Sequence, residues 1–83
     1  MYNIGICRIC KQGLLEIVKD ESTEKIYICC DECEAEWDLP LDALCPKNGT
    51  RFKYGKIVYP SFEEIQAQKW DVKIFEHKAS TQK

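Results

Sequence analysis

The clearest alternation of hydrophobic and polar positions lies in residues 24–30, EKIYICC. There Ile26, Ile28 and Cys30 fall on one face of an extended chain, and Lys25, Tyr27 and Cys29 on the other. Residues 14–19, LLEIVK, also have strand character, and the intervening DEST is polar throughout, as a turn would be. The pattern predicts a β-hairpin whose outer ends meet, so Cys10 and Cys30 come to the same end although 19 residues separate them. Beyond Trp37, Pro40 and Pro46 bracket one helical turn over residues 40–44. Residues 47–49, KNG, read as a turn. Residues 51–60, rich in aromatic and β-branched side chains, read as a strand or extended arm, with Gly55 marking a bulge or break. Ser61 and Glu64 have the spacing of a capping box, which starts a short helix over 62–69 with Phe62, Ile65 and Lys69 on one side and Trp70 closing that face. Residues 71–78 alternate as a final short strand, and 80–83 read as a frayed tail.

Composition narrows the class. The chain has 83 residues, 45% of them hydrophobic and 31% charged, and holds six cysteines. A chain of this length builds a marginal core and usually carries a staple, either disulfides or a metal. No apolar run is long enough to cross a membrane and no signal peptide is visible, so the expectation is a cytoplasmic protein in which clustered thiols bind metal.

The cysteines fall at C-x2-C-x19-C-x2-C: Cys7, Cys10, Cys30 and Cys33. Each pair in a tight turn places two sulfurs on one ion, and the hairpin brings the pairs together into a tetrahedral shell suited to structural zinc. Cys29 competes with Cys30 for the fourth position. Cys30 repeats the spacing of the first pair and is the expected ligand, with Cys29 facing away beside Tyr27. Cys29 and Cys45 are then either buried or paired on oxidation. Burial of the cysteines as small apolar residues, disulfides in an exported chain, and a two-metal cluster using all six thiols are the competing readings.

The spacing resembles that of the zinc ribbon family over residues 7 to about 37. The resemblance implies a knuckle at each cysteine pair, with backbone amides directed at the sulfurs, and one structural zinc. The second knuckle departs from the usual pattern because Glu34, not a small residue, follows Cys33. The expected fold class is small α+β: a zinc-ribbon hairpin and sheet with a short C-terminal helix packed on it, in a single domain over residues 1–79 made of the metal-binding ribbon (7–37) and a strand and helix extension (38–79).

Closure of a four-thiolate shell leaves no open position for catalysis. His77 is the only histidine, and neither a phosphate-binding glycine loop nor a nucleophile elbow is present. The expectation is a protein without enzymatic activity or small-molecule substrate. The net charge is −2, and Asp31, Glu32, Glu34, Glu36 and Asp38 crowd around the second cysteine pair. That run favours a basic protein partner. One specific form is a small bacterial immunity protein that neutralises a basic nuclease toxin. The alternative is a ribbon that binds nucleic acid through the interleaved basic and aromatic residues Arg51, Phe52, Lys53, Tyr54 and Lys56.

Overall fold

The computed structural model describes residues 2–70, so the strand expected over 71–78, His77 and the tail lie outside the described residues. Among the described residues, β1 (Tyr2–Ile6), β2 (Leu14–Asp20), β3 (Ile26–Cys30), β4 (Glu36–Trp37) and β5 (Ile57–Val58) form one antiparallel sheet, with α1 (Pro40–Leu44) and α2 (Phe62–Gln66) beside it. The first four strands lie in chain order, and β5 pairs with the far end of β2.

The hairpin forms from β2 and β3, in register from Leu15 opposite Cys30 to Lys19 opposite Ile26. Strand β3 begins two residues later than the alternation predicts, because Glu24 turns into the left-handed region at φ 65°. Asp20 holds this turn. One carboxylate oxygen accepts from the Thr23 hydroxyl at 2.7 Å, the Ser22 hydroxyl at 3.0 Å and the Thr23 amide at 3.1 Å. The other accepts from the Gly55 amide at 2.8 Å and so ties the later chain to the hairpin tip. These donors, the Thr23 hydroxyl foremost, hold the Asp20 carboxyl below its ordinary pKa.

Alternation sorts the hairpin side chains onto two faces. Leu15, Ile17, Ile28 and Trp37 pack on one face with Ala43 of α1 and Ile65 of α2. Val18, Tyr27 and Cys29 lie on the other, where Tyr54 stacks on Tyr27 with ring centroids 4.1 Å apart. Helix α1 occupies the predicted span, with a proline in its first turn. The capping box also forms: Ser61 Oγ accepts from the Glu64 amide and Glu64 Oε1 accepts from the Ser61 amide. Helix α2 ends at Gln66, short of the predicted 69, as the chain tightens into i→i+3 bonds and Lys69 reaches φ 60°.

Three other segments differ from expectation, one of them the two-residue β4, which the alternation does not predict. Strand β1 is additional. It carries an irregularity between Asn3 and Ile6, where Gly5 adopts φ 109° and donates to the buried Asn3 Oδ1 at 3.0 Å. Residues 51–60 contribute only the two-residue β5, because Phe52 at φ 61° breaks the extended run and turns the chain over the second sheet face.

Trp37 is 1% exposed at the centre of the first face. Trp37→Ala is expected to cost about 3–5 kcal/mol, comparable with the whole stability of a small domain, and urea denaturation should show loss of the cooperative transition. The depressed Asp20 pKa gives stability that is present above the ordinary carboxylate value and lost as pH falls through the depressed one. The gap in urea midpoint between the native chain and Asp20→Asn should therefore be widest at neutral pH and narrow in acid.

Candidate metal centre

The two cysteine pairs sit in turns built alike. In the first, the Cys7 amide donates to the Gly13 carbonyl and the Lys11 amide to the Cys7 carbonyl. In the second, the Cys30 amide donates to the Ala35 carbonyl and the Glu34 amide to the Cys30 carbonyl. The residue after each second cysteine is left-handed, Lys11 at φ 59° and Glu34 at φ 64°. The second turn therefore closes without a glycine, the backbone of Glu34 taking the conformation that a small residue would take at less cost.

Backbone amides converge on the sulfurs. Ile9 N–H donates to Cys7 Sγ, Gly13 N–H to Cys10 Sγ, and the Glu32 and Cys33 N–H groups to Cys30 Sγ, each at 3.4 Å. Amides from Gln12 and Gly13 pull the Cys10 thiol down to about 6, whereas burial pushes Cys30 up to about 12. The amides favour thiolate, while burial favours the neutral form unless a cation is held between the sulfurs.

The structure brings together Cys7, Cys10, Cys30 and Cys33, whose sulfurs all lie within 4.8 Å of one another. Cys7 and Cys33 are 3.9 Å apart, and Cys10 and Cys30 3.6 Å. A tetrahedron with metal–sulfur bonds of about 2.3 Å spaces its sulfurs about 3.8 Å apart, so the four cysteines can bind one metal ion. Trp37 and Ile28 belong to the same packed cluster as Cys7 and Cys30, which keeps that side of the sulfurs dry. Cys29 is on the opposite sheet face with Val18 and Tyr27, and Cys45 is exposed.

Gly13 matters more than its place in the sequence indicates. A Cβ built there would stand 2.6 Å from both Cys30 Sγ and Asp31 Oδ1 and 2.8 Å from Glu32 Cβ. The two knuckles approach closely enough to share a metal because this position has no side chain. The signal was a glycine three residues after Cys10, and only the tertiary contact reveals what it makes room for.

The acidic run does not form one surface. Asp31, Glu32 and Glu34 are exposed around the second knuckle, and Asp31 Oδ1 accepts from the Leu14 amide at 2.8 Å. Glu36 leaves the expected exposed set. It is 6% exposed, on the second sheet face opposite Cys29, with Oε1 accepting from the Thr50 hydroxyl at 2.9 Å and the Lys53 amide at 3.2 Å. Asp38 accepts a hydrogen bond from Tyr54 and lies 3.7 Å from Lys53 Nζ. The basic residues of 51–56 also have partners: Arg51 Nε donates to the Cys33 carbonyl, Lys53 pairs with Asp38, and Lys56 lies 4.0 Å from Glu21. No helix among the described residues is long and apolar enough to cross a membrane.

No family model, curated protein or solved structure matches this chain. The ribbon resemblance accordingly rests on the cysteine spacing and on the two turns just described.

Cys30→Ser should abolish binding of the metal ion, whereas Cys29→Ala should retain it, with metal content read by native mass spectrometry. Gly13→Ala should retain all four thiols yet bind the metal at least about tenfold more weakly, measured by competition with a chromophoric chelator.

Proposed function

We propose that this chain is a zinc-stabilised, non-enzymatic interaction module that docks a basic protein through the acidic surface around its second knuckle. The observation that carries the reading is the joining of two features in one short segment. Cys30 and Cys33 close a four-sulfur cluster, and Asp31, Glu32 and Glu34, interleaved with them, are exposed. The chemistry of the donor set favours zinc: four thiolates, a tetrahedral spacing and no oxygen ligand suit a structural ion. Zinc on four thiolates carries a net double negative charge, which adds to the acidic field at the same end of the hairpin. A closed shell also leaves no position for a water nucleophile or a substrate.

A basic partner is supported by charge. Ion pairs among the described residues join Lys19 to Glu64, Lys53 to Asp38 and Lys56 to Glu21, and none of the three involves Asp31, Glu32 or Glu34, although Arg51 Nε donates to the Cys33 carbonyl beside them. Complementary charge of this kind steers encounter and sets the orientation of docking. An immunity protein for a basic nuclease is the most specific form of the reading, and it rests on small size and acidic charge.

The test is affinity purification of the zinc-loaded chain from its source cell, followed by association kinetics with the purified partner. A stoichiometric basic protein is expected. Glu32→Lys with Glu34→Lys should slow association about tenfold at low salt, with the difference fading as salt rises. An association rate untouched by the double reversal contradicts the acidic docking surface. Binding to RNA or DNA that weakens steeply with salt would instead favour the nucleic-acid reading.

A further inference from the structure

The second sheet face holds a feature that the knuckle acids alone do not define. Residues 51–56 cross this face and anchor through the Tyr54–Tyr27 stack and the Gly55–Asp20 hydrogen bond. Beside the anchor they leave a cleft of about 400 Å³, within the range of clefts that take a ligand group. Tyr27, Cys29 and Glu36 line it as buried residues, Glu16 and Tyr54 are half-buried, and Asp31, Glu34 and Phe52 are its exposed edges.

Three properties of the cleft point to one chemistry. First, its charge is of one sign. Glu16, Asp31, Glu34 and Glu36 all line it, and no lysine or arginine does. Second, Glu36 is a carboxylate more than nine-tenths buried, and no described residue donates to its Oε2, although two donors satisfy Oε1. The Glu16 carboxyl in the same cleft is raised above the usual pKa, first by burial, despite the hydrogen bond it accepts from Tyr59. Buried carboxylates without a cation are costly and gain most from one that arrives with a partner. Third, the walls are aromatic. Tyr54 flanks the cleft with its ring already stacked on Tyr27 and with Lys53 Nζ 5.2 Å from its centroid, whereas Phe52 is 79% exposed at the edge, held by a backbone at φ 61° that is unfavourable for a bulky residue.

We propose that this cleft receives an arginine side chain of the basic partner, stacked against the exposed Phe52 ring with its guanidinium directed at Glu36 and Glu16. A planar guanidinium suits both features at once: its face packs on the Phe52 ring and its edge forks onto carboxylates. The less hydrated guanidinium also enters a half-buried site at lower cost than an ammonium. The inference rests on the basic-partner reading and concerns a patch that adjoins the knuckle: Asp31 and Glu34 border it, while Glu16, Glu36, Phe52 and Tyr54 lie beyond the knuckle.

The probe is blocked arginine (the N-acetyl amide), titrated into the zinc-loaded chain and followed by amide NMR shifts. Blocked citrulline, of the same shape but uncharged, is the control. Arginine should give saturable shifts centred on Glu16, Cys29, Glu36, Tyr54 and Gly55, with citrulline at least about tenfold weaker. Phe52→Asn keeps a residue that tolerates positive φ and removes the ring, and it should weaken arginine about threefold. Glu34→Gln should weaken it about twofold. Both variants should keep their metal, which separates loss of the cleft from loss of the fold. Equal response to citrulline, or shifts spread over remote acids such as Asp42 and Glu63, would overturn the proposal. A partner complex sensitive to Glu32→Lys alone, together with no arginine response at the cleft, overturns the cleft alone. Arginine bound at the cleft without any basic protein partner upholds the cleft and overturns the docking function.

Discussion

Convergence of four sulfurs at one end of the β2–β3 hairpin is the constraint on which the rest of the structure depends. Hairpin pairing from Leu15 opposite Cys30 brings the second knuckle to the first, and Gly13 lets them close without a side chain between them. Amides directed at the sulfurs favour the thiolate form, and Cys7 and Cys30 are buried in the same packed cluster as Trp37. With an ion between these sulfurs, a short chain would gain what a larger one gains from burial, because metal binding and folding would become one equilibrium.

The same hairpin separates two jobs by alternation. Odd-numbered positions of β2, with even-numbered positions of β3, build the core with α1 and α2. The opposite set, Glu16, Val18, Tyr27 and Cys29, faces a partial cover formed by residues 51–56. That second face is buried enough to raise the Glu16 carboxyl above its usual value, and a cleft of about 400 Å³ opens on it. Asp20 holds the cover in place, since a single carboxylate secures both the hairpin tip and Gly55.

Much of this was legible in the sequence where local chemistry dictates structure. Cysteine spacing marked the four sulfurs, the period-two pattern assigned Cys30 and Cys29 to opposite faces, Pro40 placed α1, and the Ser61–Glu64 box started α2. The parts that were not legible depend on tertiary contact. Strand β1 contains an irregular Gly5 and a buried Asn3, neither of which reads as strand, and pairing with β2 holds it. Phe52 lies in a run rich in strand formers, yet its positive φ interrupts that run, and strand pairing begins only at Ile57. Glu36 reads as one more surface acid in a charged run, but register opposite Cys29 turns it inward, where Thr50 and the Lys53 amide satisfy one of its oxygens. The importance of Gly13 is invisible until the second knuckle is placed against it.

The central claim is that one metal ion held by Cys7, Cys10, Cys30 and Cys33 staples this fold. Native mass spectrometry of the purified chain, with near-ultraviolet circular dichroism recorded before and after treatment with a strong chelator, tests it most directly. The account predicts one zinc per chain, with its removal collapsing the tertiary signal of the buried Trp37 and Tyr27. A chain that carries no metal as purified and keeps that signal, or one that loses its ion without any change in tertiary structure, would contradict it.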